Sequence, residues 1–185
     1  ITYTLLHDED CLRIDFIAQS DDDTILSLSN HMYFNFFNSV DVNNYSLMIN
    51  ASKYGVSKNG TKLIDHFTAV PDFLDFREPS LIKEKLGSGN KAKPMDDVFL
   101  FDKTSISQPQ IVLENDSLKL ECFTDYEACT IYLDDTMSDV EFTNGINKKK
   151  RRAIAIEPQC SPLSSFILKP GSIYHYHAIY RFTRK

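Results

Sequence analysis

The stretch "CLRIDFIAQ", residues 11–19, decides the fold. Leu12, Ile14, Phe16 and Ala18 point one way, while Arg13, Asp15 and Gln19 point the other. An apolar side chain at every second position is the mark of a strand with one face buried. Upstream, "DED" (Asp8 to Asp10) separates this strand from "TYTLL", so the chain is expected to open with a hairpin. Downstream, "DDD" (Asp21 to Asp23) reads as the next turn. "TILSLSN" then reads as a strand with Leu26 and Leu28 on one face, delivering His31 at or just past its end.

The same period continues along the chain. Strands are expected at "YSLMINA", "HFTAV", "DVFLFD", "QIVLEN", "SLKLECFT", "CTIYLD", "RAIAIEPQ" and "SIYHYHAIYRF". Turn signals lie between them at "NSVDVNN", "KNG", "QPQ", "END" and "KPGS". Only "SLIKEKLG" (Ser80 to Gly87) looks helical, with Ser80 placed as an N-cap and Gly87 as a stop. Many short strands with almost no helix predict an all-β protein, an antiparallel sandwich or barrel-like sheet.

Composition bounds the function. The chain has 185 residues, 42% of them hydrophobic, which suits one core and a single domain over 1–185. No run of about 18 apolar residues offers a membrane span. The first residues, "ITYTLLHDED", show no signal-peptide pattern and no initiator Met. Cys11, Cys122, Cys129 and Cys160 are scattered without a CxxC pair, so buried thiols are expected rather than a zinc ribbon or disulfide framework. That usage fits a reducing cytoplasm. A formal charge of -6 argues against broad nucleic-acid binding. The basic run "KKKRR" (Lys148 to Arg152) reads as a solvated loop.

Four segments carry residues suited to chemistry. In "LSNHMYFNF" (Leu28 to Phe36), His31 stands between turn-favouring Asn30 and Asn35 and beside Tyr33, Phe34 and Phe36. Aromatic faces with a few placed polar groups suit a small polar ligand such as a sugar, and an imidazole suits proton transfer near neutrality. In "RAIAIEPQCSP", an apolar strand ends in Glu157, followed by Pro158 and Gln159. A partly desolvated carboxylate there gains proton affinity and becomes a better base near neutral pH. In "KPMDDVFLFD", Asp96 and Asp97 are adjacent, so at most one faces a shared site. In "PGSIYHYHAIYRF", His175 and His177 share one strand face, and Tyr174, Tyr176, Ala178, Tyr180 and Phe182 form the other. Two such histidines can serve a metal-dependent barrel enzyme of the cupin type. A cupin pattern also needs a following glutamate, and "AIYRFTRK" contains no carboxylate. An exposed polar face is the expectation for this pair.

Together and in this order, these segments resemble the C-terminal half to two-thirds of the aldose 1-epimerases, the galactose mutarotase family. "LSNHMYFNF" is similar to the family's Thr-Asn-His-x-Tyr-Phe-Asn-Leu motif, and "DFLDFREPSLI" resembles its Phe-Asp-(Leu/Phe)-Arg-x-Pro segment. "MDDVFLF" resembles Asp-His-x-Phe, "IEPQCSP" resembles Glu-Thr-Gln-x-x-Pro, and "ILKPGSIYHYHAIYRF" resembles the closing Leu-x-Pro-Gly-x-x-Tyr strand. The resemblance spans nearly the whole chain.

It implies an antiparallel β-supersandwich lacking its N-terminal part. It also implies interconversion of the α and β anomers of a free hexose, with no cofactor, no metal, no nucleic acid and no membrane. By family role Glu157 is the base and His31 the acid, while Asp96, Asn30 and Gln159 hold the sugar. Two departures stand out. The family's additional N-terminal region supplies a second histidine, in a His-Gly-Gly segment, and a binding arginine; neither is found here. Thr130 stands where the family places a glutamine, and Asp97 stands in place of a histidine. The expectation is therefore a chain needing a missing N-terminal segment or a partner chain. The alternative is a non-catalytic carbohydrate-binding relative of the same fold.

Overall fold

The computed structural model describes residues 1–58, 64–102, 106–133, 151–161 and 167–185. Much of the expected "KNG" turn, and the three lysines at 148–150, lie outside the described residues.

The opening hairpin forms as expected. β1 (Thr2–Leu6) pairs antiparallel with β2 (Cys11–Ala18), Leu5 opposite Leu12. Asp10 closes the connection at φ 47°, a left-handed conformation that aspartate tolerates better than bulky residues do. β2 then pairs with the last strand, β15 (Tyr174–Arg184), setting Ile14 opposite Ala178 and Phe16 opposite Tyr176. β15 in turn pairs with β11 (Leu118–Thr124), β11 with β10 (Ile111–Glu114), β10 with β5 (Ser46–Ile49), and β5 with the short β8 (Ser80–Leu81). These seven strands make one open antiparallel sheet.

A second sheet faces it across the core. Its order is β4 (Tyr33–Phe34), β13 (Ile154–Gln159), β12 (Ala128–Leu133), β9 (Asp96–Leu100), β6 (Lys53–Ser57) and β7 (Ile64–Ala69). A small pairing of β3 (Thr24–Ile25) with β14 (Ile167–Leu168) completes the described pattern. Neither large sheet closes on itself, so the architecture is a sandwich and not a barrel. The core holds Ile14, Phe16, Leu47, Phe99, Ile131, Ile156, Tyr174 and Tyr180, all at 1% exposure or less. Burying a side chain of this size contributes about 1.5–3 kcal/mol. All four cysteines are buried and unpaired, as thiol usage suggested. No helix among the described residues is long and apolar enough to cross a membrane.

Three local expectations are corrected. The helix, α1, is a single short turn, Ile82–Leu86, and Ser80 does not cap it. Ser80 belongs to β8, and its hydroxyl donates to the Glu78 carbonyl. Gly87 does end the helix, at φ 69°, where an added Cβ would stand 2.9 Å from the Lys91 carbonyl oxygen. "TILSLSN" is a strand only over Thr24–Ile25; residues 26–32 join no ladder. Period-two alternation persists there because Leu26 and Leu28 still pack on the core, without backbone pairing. The third correction concerns "KKKRR". Arg151 is 1% exposed, far from a solvated loop. Its guanidinium reaches the carbonyls at the end of α1: Nη1 donates to Gly87 O at 2.6 Å and Nη2 to Leu86 O at 3.2 Å.

Candidate active site

The outward face of the second sheet assembles the site row by row. Pairing sets Tyr33 of β4 opposite Ala155 of β13, Ala155 opposite Tyr132 of β12, and Tyr132 opposite Asp96 of β9. Side chains directly opposite one another share a face. The next row sets Glu157 opposite Thr130, and Thr130 opposite Val98. Alternation along β13 explains why: Ile154 and Ile156 turn inward to the core, so Ala155, Glu157 and Gln159 turn outward. Ala155 is small, and the flanking Tyr33 and Tyr132 rings converge over it at 6.1 Å in an edge-on arrangement.

His31 lies on these two rings. Its centroid is 5.1 Å from that of Tyr33 and 6.4 Å from that of Tyr132. Its Nδ1 stands 3.5 Å from Glu157 Oε1. The imidazole is 60% exposed and the carboxylate 16%, so the pair has one member reaching into solvent and one sunk into the sheet. Burial raises the proton affinity of Glu157, the His31 charge lowers it and the Asp96 charge raises it; the net shift is upward. The structure thus brings together His31, Glu157 and Asp96, which lie far apart in sequence.

The remaining expected residues divide. Gln159 shares the face, and its amide Nε2 donates to Thr130 Oγ1 at 2.7 Å. Asn30 does not share it. This residue is 8% exposed and turned into the core, accepting from the Tyr180 hydroxyl at 2.9 Å. The buried end of residues 26–32 needs a side chain that satisfies backbone-like polar groups, and Asn30 does so. Asp97, adjacent to Asp96, pairs with Ile131 on the opposite parity and so leaves the shared face to Asp96. Tyr132 was not singled out from sequence. Its signal was parity, since it lies two residues beyond Thr130 on one strand.

The two histidines of β15 are held separately. Each ring takes its own carboxylate: His175 Nε2 lies 3.4 Å from Asp15, and His177 Nδ1 lies 3.0 Å from Asp125. No group of three or more His, Cys, Asp or Glu among the described residues is arranged to hold a metal. His177 is also far from exposed, with 12% of its side chain accessible. An apolar cavity of about 430 Å³, lined by Leu5, Leu12, Phe37 and Phe182 among others, involves none of the residues of the His31–Glu157 surface.

The model of the aldose 1-epimerase family matches residues 1–181. The chain belongs to the aldose 1-epimerase family. It is 31% identical over 170 residues to the aldose 1-epimerase of Haemophilus influenzae, covering 88% of this chain and 49% of that one. Among solved structures it is similar to an aldose epimerase homologue from C. elegans, with a TM-score of 0.84 and 26% identity over 98% of this chain and 58% of that chain. It also superposes on a galactose 1-epimerase from Lactobacillus acidophilus, with a TM-score of 0.81, 22% identity, and coverage of 98% and 55%. The galactose mutarotase-like fold is thereby shown. The chain spans about half the length of the curated relative it matches.

Proposed function

We propose that the His31–Glu157 surface is the acid–base part of an aldose 1-epimerase site acting on a free hexose. The contact that carries this reading is the 3.5 Å approach of His31 to Glu157. In a cyclic aldose, the hydroxyl to be deprotonated and the ring oxygen to be protonated are bonded to the same carbon. The acid and the base must then be neighbours, as these two are. Glu157 takes the proton of the C1 hydroxyl. The bond from C1 to the ring oxygen breaks, and the ring oxygen takes a proton from His31. C1 is now a planar aldehyde; rotation about the adjoining carbon–carbon bond presents its other face, and reversal of both proton transfers closes the opposite anomer. Atoms and protons balance, and both groups return to their starting states.

The raised proton affinity of Glu157 supports the role, because a base is most effective when its pKa approaches the working pH. In this reading Asp96, opposite Tyr132 in the ladder, accepts sugar hydroxyls. Gln159 and Thr130 form a polar edge beside Glu157. Tyr33 and Tyr132 offer ring faces and edges for the apolar side of a pyranose.

The test is polarimetry of freshly dissolved α-D-glucose and α-D-galactose with the full-length protein, against the uncatalysed rate. Glu157→Gln and His31→Asn should each lower kcat/KM on the order of 10²–10⁴-fold. Wild-type acceleration that survives both substitutions would remove the proposal. Sugar binding without any acceleration by the wild-type protein would instead select the non-catalytic carbohydrate-binding reading.

A further inference from the structure

Residues 26–32 carry His31 and yet belong to no strand, so the position of the imidazole must come from side-chain bonds. Those bonds are specific. The Tyr126 hydroxyl donates to Leu28 O at 2.8 Å, and the Leu28 amide donates to the Tyr174 hydroxyl at 3.1 Å. Ser29 Oγ donates to Pro158 O at 2.7 Å, tying the segment to β13. The Tyr180 hydroxyl lies 2.9 Å from Asn30 Oδ1 and 3.1 Å from the Ile156 carbonyl oxygen, with both as its acceptors. Asn30 Nδ2 also donates to Ile156 O, at 3.5 Å.

Asn30 is the residue before His31, and Ile156 is the residue before Glu157. We infer that Tyr180, from β15 of the opposite sheet, is a positioning residue that sets the separation of His31 and Glu157 by holding the Asn30 side chain next to the one and the Ile156 carbonyl next to the other. This rests on the acid–base reading of that pair. Tyr180 is fully buried and its ring packs 5.3 Å from Phe34, so the ring anchors the hydroxyl from beneath the sheet. Nothing in the pairing of β13 with β4 fixes His31, because that ladder starts only at Tyr33. Of the bonds on this segment, the bifurcated phenol is the one that reaches both the neighbour of His31 and the neighbour of Glu157, so its loss acts on their separation. Displacement of a catalytic group by about 1 Å costs on the order of 10²-fold.

The experiment is Tyr180→Phe in the full-length protein, which removes one oxygen and keeps the ring. Expected is a fall in kcat of about 10–100-fold with KM little changed. The acid limb of the pH–rate profile should also move to higher pH, because a displaced His31 lowers the proton affinity of Glu157 less. Asn30→Ala should reproduce both effects, and the double variant should lose no more than the worse single. Tyr45→Phe is the matched control: it deletes another buried hydroxyl, one bonded to Phe36 and Ser39. It should leave the pH profile in place. If Tyr180→Phe does not fold, Asn30→Ala alone decides by the same readouts. Wild-type kcat and an unmoved pH profile in the folded variant, with His31→Asn still inactive, would overturn the positioning role and leave the acid–base reading standing. Full activity of His31→Asn and Glu157→Gln would remove both.

Discussion

Arg151→Met replaces a buried fork of hydrogen-bond donors by an apolar chain of similar length. In the wild type, Nη1 donates to Asn43 Oδ1 at 3.2 Å and to Gly87 O at 2.6 Å, and Nη2 donates to Leu86 O at 3.2 Å and to Lys93 O. Three of the four acceptors are backbone carbonyls that the short α1 leaves without intrahelical donors, or that lie in the chain just after it. The residue's own backbone adds a tie, since Val42 N donates to Arg151 O at 2.9 Å. Each acceptor stranded in the interior costs about 1–3 kcal/mol, and hydrogen bonds to a charged donor contribute about 1.5–3 kcal/mol each. Because these terms overlap, the site relaxes and Leu86 O keeps the Lys93 amide as donor, the loss expected for Arg151→Met is about 3–5 kcal/mol. Against a typical stability of about 5–15 kcal/mol, that is a large fraction. Arg151→Lys keeps the charge but offers one ammonium to acceptors set out for a planar fork, so it should lose roughly half as much. Urea unfolding followed by circular dichroism measures both, through the midpoint at unchanged slope. A loss below about 1 kcal/mol for Arg151→Met would refute the reasoning, because a surface substitution costs no more than that.

Two further expectations concern the proposed base. Asp96→Asn removes a charge that raises the proton affinity of Glu157, so the acid limb of the pH–rate profile should move to lower pH; an unmoved limb would mean the two carboxylates do not interact across Tyr132. Glu157 has a folded-state pKa above its unfolded value, so the folded form binds the proton more tightly; its stabilising contribution is present below the unfolded pKa and is lost as pH rises through the folded one. Glu157→Gln should therefore raise the melting temperature at neutral pH relative to wild type while abolishing activity, and the gain should vanish in acid, as calorimetry at two pH values would show.

Much of the fold is legible because one face of each long strand meets the core. Leu12, Ile14, Phe16 and Ala18 on β2 pair with Tyr180, Ala178, Tyr176 and Tyr174, and both strands announce the same parity in sequence. What the pattern misses are strands too short to show a period. β4 and β14 hold two residues each, and their place comes from pairing partners distant in sequence. The failure at Arg151 has a different cause. A run of like charges is read by its average, and the average hides one member, Arg151, whose backbone stands at φ 59° and whose side chain is buried.

The site divides along the same physical line. Glu157 was legible because strand alternation and the terminal position of a carboxylate are both local. His31 was legible through its company, the aromatic and amide residues around it. Asn30, given a sugar-holding role by the resemblance, lies off the shared face, because adjacent residues in an extended chain face opposite ways. His31 turns out to the Tyr33 and Tyr132 rings, so Asn30 turns in to Tyr180. That inversion gives the pair of residues its logic: one dipeptide presents an imidazole on the outer surface and spends its amide on holding the imidazole in place. For an imidazole that is 60% exposed and outside any ladder, such an inward anchor adds to the Tyr33 and Tyr132 rings on which it lies. The same division recurs in β13, where Ile156 gives its carbonyl to Tyr180 and Glu157 gives its carboxylate to the surface. The proposed acid and base thus follow two residues, Asn30 and Ile156, that share a buried phenol, and in the positioning proposal their spacing is set from the core side of the sheet.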